Sequence, residues 1–99
     1  MSDTYTLGPD GKTPVPCDMT TWGLDLEKNR RVAADDLSED IRVSTVFLGL
    51  DHRHGEGSPL LFETMIFGGP HHDYQERYST WDEAVEGHAR AVALAKGAL

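Results

Sequence analysis

Ser44-Thr45-Val46-Phe47-Leu48-Gly49-Leu50 and Leu60-Leu61-Phe62-Glu63-Thr64-Met65-Ile66-Phe67 decide the fold of this chain. Both runs are apolar and carry the β-branched and aromatic residues that suit a pleated, buried surface. Between them lies Asp51-His52-Arg53-His54-Gly55-Glu56-Gly57-Ser58-Pro59, whose glycines and proline mark a turn. The arrangement predicts two paired strands, the first extending over residues 41–50 and the second over 60–67. Apolar side chains fall on both faces of each run, so the sheet is expected to be covered twice. A helix would cover one face, and the N-terminal arm or a second subunit the other.

Downstream, Thr80 precedes Glu83 by three residues and forms a capping box. Asp82, Glu83 and Glu86 favour the start of a helix dipole, Arg90 and Lys96 lie later, and Gly97 suits a C-terminal cap. Trp81, Ala84, Val85, His88, Ala91, Val92 and Ala95 recur at helical spacing and are expected to pack on the sheet. Upstream, residues 22–26 alternate apolar and other residues as a half-buried strand does. Residues 30–37 read as a further strand or a short helical turn. Residues 1–18 hold Gly8-Pro9-Asp10-Gly11 and Pro14-Val15-Pro16 and read as an extended N-terminal arm. A single α+β domain over residues 19–99 follows it. The expected fold is an antiparallel sheet of three or four strands with one C-terminal helix across a face.

Size and charge limit the function. A chain of 99 residues buries roughly 60–70% of its extended surface, enough for one modest core. The net charge is −8 and is shared evenly between the two halves. Phosphate backbones attract Lys and Arg patches, so nucleic acid is not an expected partner. Cys17, the only cysteine, has no internal disulfide partner. The first residues lack the basic and apolar regions of a signal peptide, and no apolar run approaches the ~20 residues that cross a membrane. A cytoplasmic protein is therefore expected, with no membrane contact.

Six residues are candidates for ligand or partner contacts: His52, His54, Glu63, Tyr74, Tyr78 and His88. His52 and His54 share the loop, but His71 and His72 fall about 20–25 Å away at the other end of the paired strands. A zinc ion needs three or four convergent ligands, so no metal site is assigned. Gly55-Glu56-Gly57 lacks the lysine and following helix of a phosphate loop, and no cofactor is implied. Glu63 sits inside an apolar strand, where burial demands a partner. An arginine such as Arg42 or Arg77 would satisfy it. If the helix covers the Glu63 face, Glu63 and His88 would meet as a carboxylate–imidazole pair capable of acid–base work. Tyr74 and Tyr78 flank the polar Gln75-Glu76-Arg77. They are expected either to be exposed and contact a partner, or to pack. No residue is assigned a catalytic role.

The run from Leu60 through Phe67-Gly68-Gly69, followed by Glu76-Arg77-Tyr78-Ser79-Thr80-Trp81-Asp82-Glu83-Ala84-Val85-Glu86-Gly87-His88, resembles a family of small uncharacterised proteins of tailed bacteriophages and prophages. The resemblance spans residues 42–92. It implies a binding protein made in the bacterial host, one that antagonises a host defence by blocking a protein or sequestering a small ligand. A small enzyme or metal-binding protein using Glu63, His52 and His88 is the alternative reading, and a virion structural or assembly component is another. The apolar strands favour a homo-oligomer, a dimer first.

Overall fold

A computed structural model describes residues 3–25, 30–53 and 55–97. In chain order the elements are β1 (Tyr5–Leu7), β2 (Pro14–Pro16), α1 (Met19–Asp25), β3 (Arg31–Asp36), β4 (Arg42–Phe47), β5 (Phe62–Phe67), β6 (Gln75–Tyr78) and α2 (Trp81–Lys96). The fold is α+β. Strands β3-β4-β5-β6 form an antiparallel sheet in that order, β1 and β2 form a separate hairpin, and α2 packs on the larger sheet.

The period of two along β4 sets the layers. Val43, Thr45 and Phe47 are buried, whereas Arg42, Ser44 and Val46 are half-buried. Their partners across the ladder continue each face: Val43 opposes Ile66, Thr45 opposes Thr64, and Phe47 opposes Phe62. These six meet α2. Val43, Phe62 and Ile66 are fully buried, and each stabilises the fold by about 1.5–3 kcal/mol through burial.

The core has two centres. Ile41, Val43 and Ile66 pack with Ala91 and Ala95, and Phe47, Leu61, Phe62 and Tyr78 pack with Ala84. The buried stripe of α2 is Ala84, Gly87, His88, Ala91 and Ala95. It is rotated from the expected stripe, because Val85 stays 46% exposed while Gly87 faces inward. The cause is close approach. A Cβ at Gly87 would lie 2.1 Å from the Tyr78 hydroxyl oxygen, so the helix seats on Tyr78 only where there is no side chain. The helix start shows half of the expected capping box: Thr80 Oγ1 accepts from the Glu83 N–H at 3.1 Å, while the Glu83 carboxylate accepts from the Thr80 hydroxyl at 3.1 Å in place of the Thr80 N–H.

Residues 22–26 do not form the expected strand. Residues 22–25 belong to α1, and 26 lies outside the described residues. Asp18 caps this helix by accepting from the Thr21 N–H at 2.7 Å. No residue of α1 is buried, so its apolar pattern reflects no core face. Residues 31–36 do form a strand, β3. The polar segment Gln75–Tyr78 also forms a strand, at the sheet edge, where only Tyr78 is buried.

The expectation of a doubly covered sheet is corrected. The face carrying Val46, Glu63 and Met65 lies opposite α2, and among the described residues no helix or hairpin packs across it. The N-terminal hairpin docks at a sheet end instead. The Tyr5 N–H donates to the Gly49 carbonyl and the Asp51 N–H to the Asp3 carbonyl, at 2.7 and 2.9 Å. No helix among the described residues is long and apolar enough to cross a membrane.

Candidate binding groove

Glu63 and His88 do not meet. His88 hangs from α2 onto Thr45, whose ladder partner is Thr64. Glu63 is the neighbour of Thr64 along β5, so it points through the sheet to the opposite face. There it is only 9% exposed, and its Oε2 accepts from Arg77 Nε at 2.9 Å and Gln75 Nε2 at 2.7 Å. Arg77 stands directly opposite it on β6. The carboxylate is thus occupied by a cross-strand ion pair.

His88 is occupied as well. Its Nε2 lies 2.7 Å from Asp35 Oδ2, and its Nδ1 lies 2.7 Å from Thr45 Oγ1. Thr45 Oγ1 is in turn 2.5 Å from Thr64 Oγ1. A carboxylate only accepts, so Nε2 carries a proton. In the neutral ring Nδ1 then accepts from the Thr45 hydroxyl, and Thr45 accepts from Thr64. The order Asp–His–Thr resembles a nucleophile relay, but both threonines are fully buried beneath α2. A substrate has no route to either hydroxyl, and the line works as a polar strut between helix and sheet.

Tyr78 lies beside this line, its hydroxyl pressed on Gly87 without a hydrogen bond of good geometry. Burial pushes its phenol up, while Thr64 acts in the opposite sense. Tyr78 is therefore a core residue. Tyr74 is half-buried and donates to Glu76 Oε2 at 2.5 Å, and Arg90 Nη2 donates to the other carboxylate oxygen at 3.0 Å. Burial first, and then the Glu76 carboxylate, push the Tyr74 phenol up to about 12. Glu76 is shifted down, first by the Tyr74 hydroxyl and then by Arg90. This trio ties β6 to α2 and leaves neither tyrosine as a free aromatic plate.

His52 is half-buried in the loop after β4, where its N–H donates to the Leu60 carbonyl at 3.1 Å. The loop is shaped by Asp51. Its Oδ1 accepts from the Arg53 and Leu60 N–H groups at 2.9 and 3.1 Å, and its Oδ2 pairs with Arg53 Nε at 2.8 Å. His54 lies outside the described residues. Among the described residues no group of three or more His, Cys, Asp or Glu side chains is placed to hold a metal ion.

A different place is concave. An open groove of about 300 Å³ runs between the tip of the β1–β2 hairpin and the start of α2. Asp10, Lys12, Thr13 and Pro14 form one wall, and Thr80, Trp81 and Asp82 the other. Trp81 is half-buried. Its ring meets Phe62 edge-on at 6.3 Å, and the Lys12 ammonium lies 6.0 Å from its centroid. Asp10 is committed to the turn, accepting from the Lys12 and Thr13 N–H groups at 2.9 Å each and from the Thr13 hydroxyl at 2.6 Å. Those bonds, the Thr13 hydroxyl first, hold its carboxyl down at about 2. Thr80 is committed to the helix cap. The groups left to a ligand are the Trp81 indole, the Lys12 ammonium and the Asp82 carboxylate.

No family model, curated protein or solved structure matches this chain. The groove is therefore read from its own chemistry. None of the six sequence candidates lines it. Trp81 reads in the sequence as a core residue of the helix, and Lys12 as part of an extended arm. The only hint of their meeting is the Gly8-Pro9-Asp10-Gly11 turn, which folds the arm back on itself.

Proposed function

We propose that this chain is a small acidic binding protein that captures a compact ligand in the groove between the hairpin tip and α2. The observation that carries this reading is the pairing of an indole face with a single ammonium at a helix start. Flat rings stack on indole, and such stacking contributes about 1–3 kcal/mol. Lys12 favours an anionic substituent, while the Asp82 carboxylate and the Asp10 carboxylate, kept ionised by its turn bonds, oppose it. The ligand class that fits is a planar ring bearing one acidic group, as a mononucleotide or an aromatic carboxylate does. The groove is at the small end for ligand sites, so a compact ligand is expected. The resemblance to phage proteins supports a biological setting in which such capture removes a host signal. Glu63, His52 and His88, the residues of the enzymatic alternative, are not brought together, and Glu63 and His88 have structural partners, which favours binding over catalysis.

Calorimetric titration with a nucleoside monophosphate, its uncharged nucleoside and an aromatic carboxylate tests the reading. The two anions should bind more tightly than the nucleoside, and Lys12→Glu should remove that difference. Equal or absent heats for all three would reject it.

A further inference from the structure

We infer that the ligand of the groove is dipolar: a planar ring that carries an ammonium as well as an acidic group, as an aromatic amino acid does. The inference rests on the reading of the groove as a ligand site and narrows what that site takes. It follows from the charges left on the two walls once the fold has used its share.

Most polar atoms of the lining are spent. Asp10 Oδ1 accepts from the Lys12 and Thr13 N–H groups, and its Oδ2 accepts from the Thr13 hydroxyl. The Thr80 hydroxyl is taken up by Glu83, as acceptor and as donor. Lys12 and Asp82 differ. Both are exposed, and among the described residues neither forms an ion pair, with the other or with a third residue. The Lys12 ammonium stands 6.0 Å from the Trp81 ring centroid, and Asp82 follows Trp81 in the first turn of α2. A half-buried indole is thus flanked by a cation on the hairpin wall and an anion on the helix wall.

Charge balance selects among ligands. Two carboxylates, Asp10 and Asp82, stand against one ammonium on the lining. A ring with an acid alone gains from Lys12 but meets both carboxylates as like charges. A ring with an amine alone gains from Asp82 and leaves Lys12 facing a like charge. A dipolar ligand answers both walls, with its acid toward the hairpin, its ammonium toward α2 and its ring on Trp81. Having no net charge, it also escapes the repulsion of a chain that carries −8. A mononucleotide brings no cation at neutral pH and falls behind it. The open groove of about 300 Å³ admits one ring with a short side chain. Both charged groups stay exposed, so each added contact has the weight of a surface ion pair, about two- to fivefold in affinity.

Two-dimensional NMR titration of the full chain, read at the Trp81 indole N–H, tests this with three ligands. They are phenylalanine, 3-phenylpropanoate, which lacks the ammonium, and phenethylamine, which lacks the acid. Phenylalanine should bind about two- to fivefold more tightly than either, and half-molar sodium chloride should narrow both gaps. Asp82→Asn should bring phenylalanine down to the level of 3-phenylpropanoate, and Lys12→Gln should bring it down to that of phenethylamine. Glu86→Gln, on the same helix but outside the groove, should leave all three ratios unchanged. The inference is overturned if either single-charge ligand binds as tightly as phenylalanine, or if Asp82→Asn alters the ratios no more than Glu86→Gln does. It is also overturned if a nucleoside monophosphate moves Trp81 and none of the three does. In each of these cases the groove still stands as a ligand site. Only a Trp81 signal that none of the four ligands moves rejects the proposed function along with the inference.

Discussion

Glu63 and His88 stand on opposite faces of the four-stranded sheet, although each is a polar residue enclosed by an apolar run. Glu63 is held by Arg77 and Gln75 on the open face, and His88 by Asp35 and Thr45 beneath α2. They share no partner, so their substitutions should act independently. In urea unfolding, the losses from Glu63→Gln and His88→Gln should sum in the double variant to within about 0.5 kcal/mol. A coupling well above this would place the two groups in one network and contradict the geometry.

The His88 line has a sharper consequence. Thr45→Val keeps the shape of the side chain but deletes the hydroxyl that faces His88 Nδ1. A buried acceptor left unsatisfied costs about 1–3 kcal/mol, and Thr64 loses its partner as well. Chemical denaturation should show a loss in that range with an unchanged slope. A variant as stable as the wild type would mean that the hydroxyl is not bonded in solution.

Gly87 pits helix propensity against packing. Alanine in an exposed helix interior gains about 1 kcal/mol over glycine. Here the new methyl would lie 2.1 Å from the Tyr78 oxygen and within 2.3 Å of its ring. Overpacking of this kind costs about 1–3 kcal/mol and can exceed that. Gly87→Ala should therefore lower the midpoint of thermal unfolding, whereas Gly23→Ala, in α1 with open space around it, should not. A stabilised Gly87→Ala would show that α2 does not sit this close to β6.

Tyr74 sets an alkaline limit. Its phenol is raised from 10 to about 12 in the folded chain, by burial first and then by Glu76. The native state thus favours the protonated form. The stability this contributes is complete below pH 10 and is lost as the pH rises towards 12. Spectrophotometric titration should show one late phenol fewer in Tyr74→Phe than in the wild type, where Tyr78 is raised as well. That variant should also flatten the decline of stability across the same window. Full ionisation of Tyr74 near pH 10 would deny its burial against Glu76.

The paired strands and the C-terminal helix are legible because their signals are local. β-Branched runs bound by glycine mark β4 and β5, and Thr80 with Glu83 marks the first turn of α2. The element over residues 19–25 misleads because the alternation of Trp22 and Leu24 serves no core. Met19 and Leu24 are both more than 60% exposed. β6 is hidden because an edge strand needs only one buried side chain, Tyr78. The face that α2 covers carries Val43, Phe47, Phe62 and Ile66, whereas the open face carries Arg42, Ser44 and Glu63 among Val46, Met65 and Phe67, a bias that the apolar look of both runs conceals. The groove is illegible because Lys12 and Trp81, far apart in the chain, become neighbours only after the hairpin folds over the helix start.

The chain has two tryptophans, and only Trp81 lines the groove. Trp22 lies against Gly49, its indole N–H 3.3 Å from the Leu48 carbonyl. Two-dimensional NMR of the indole N–H signals during titration with a nucleoside monophosphate therefore reads the site directly. The Trp81 signal should shift to saturation with the Lys12 and Thr13 amides while Trp22 stays in place, and Lys12→Glu should weaken the response. If the ligand leaves Trp81 unmoved, or shifts Trp22 instead, the groove is not the binding site.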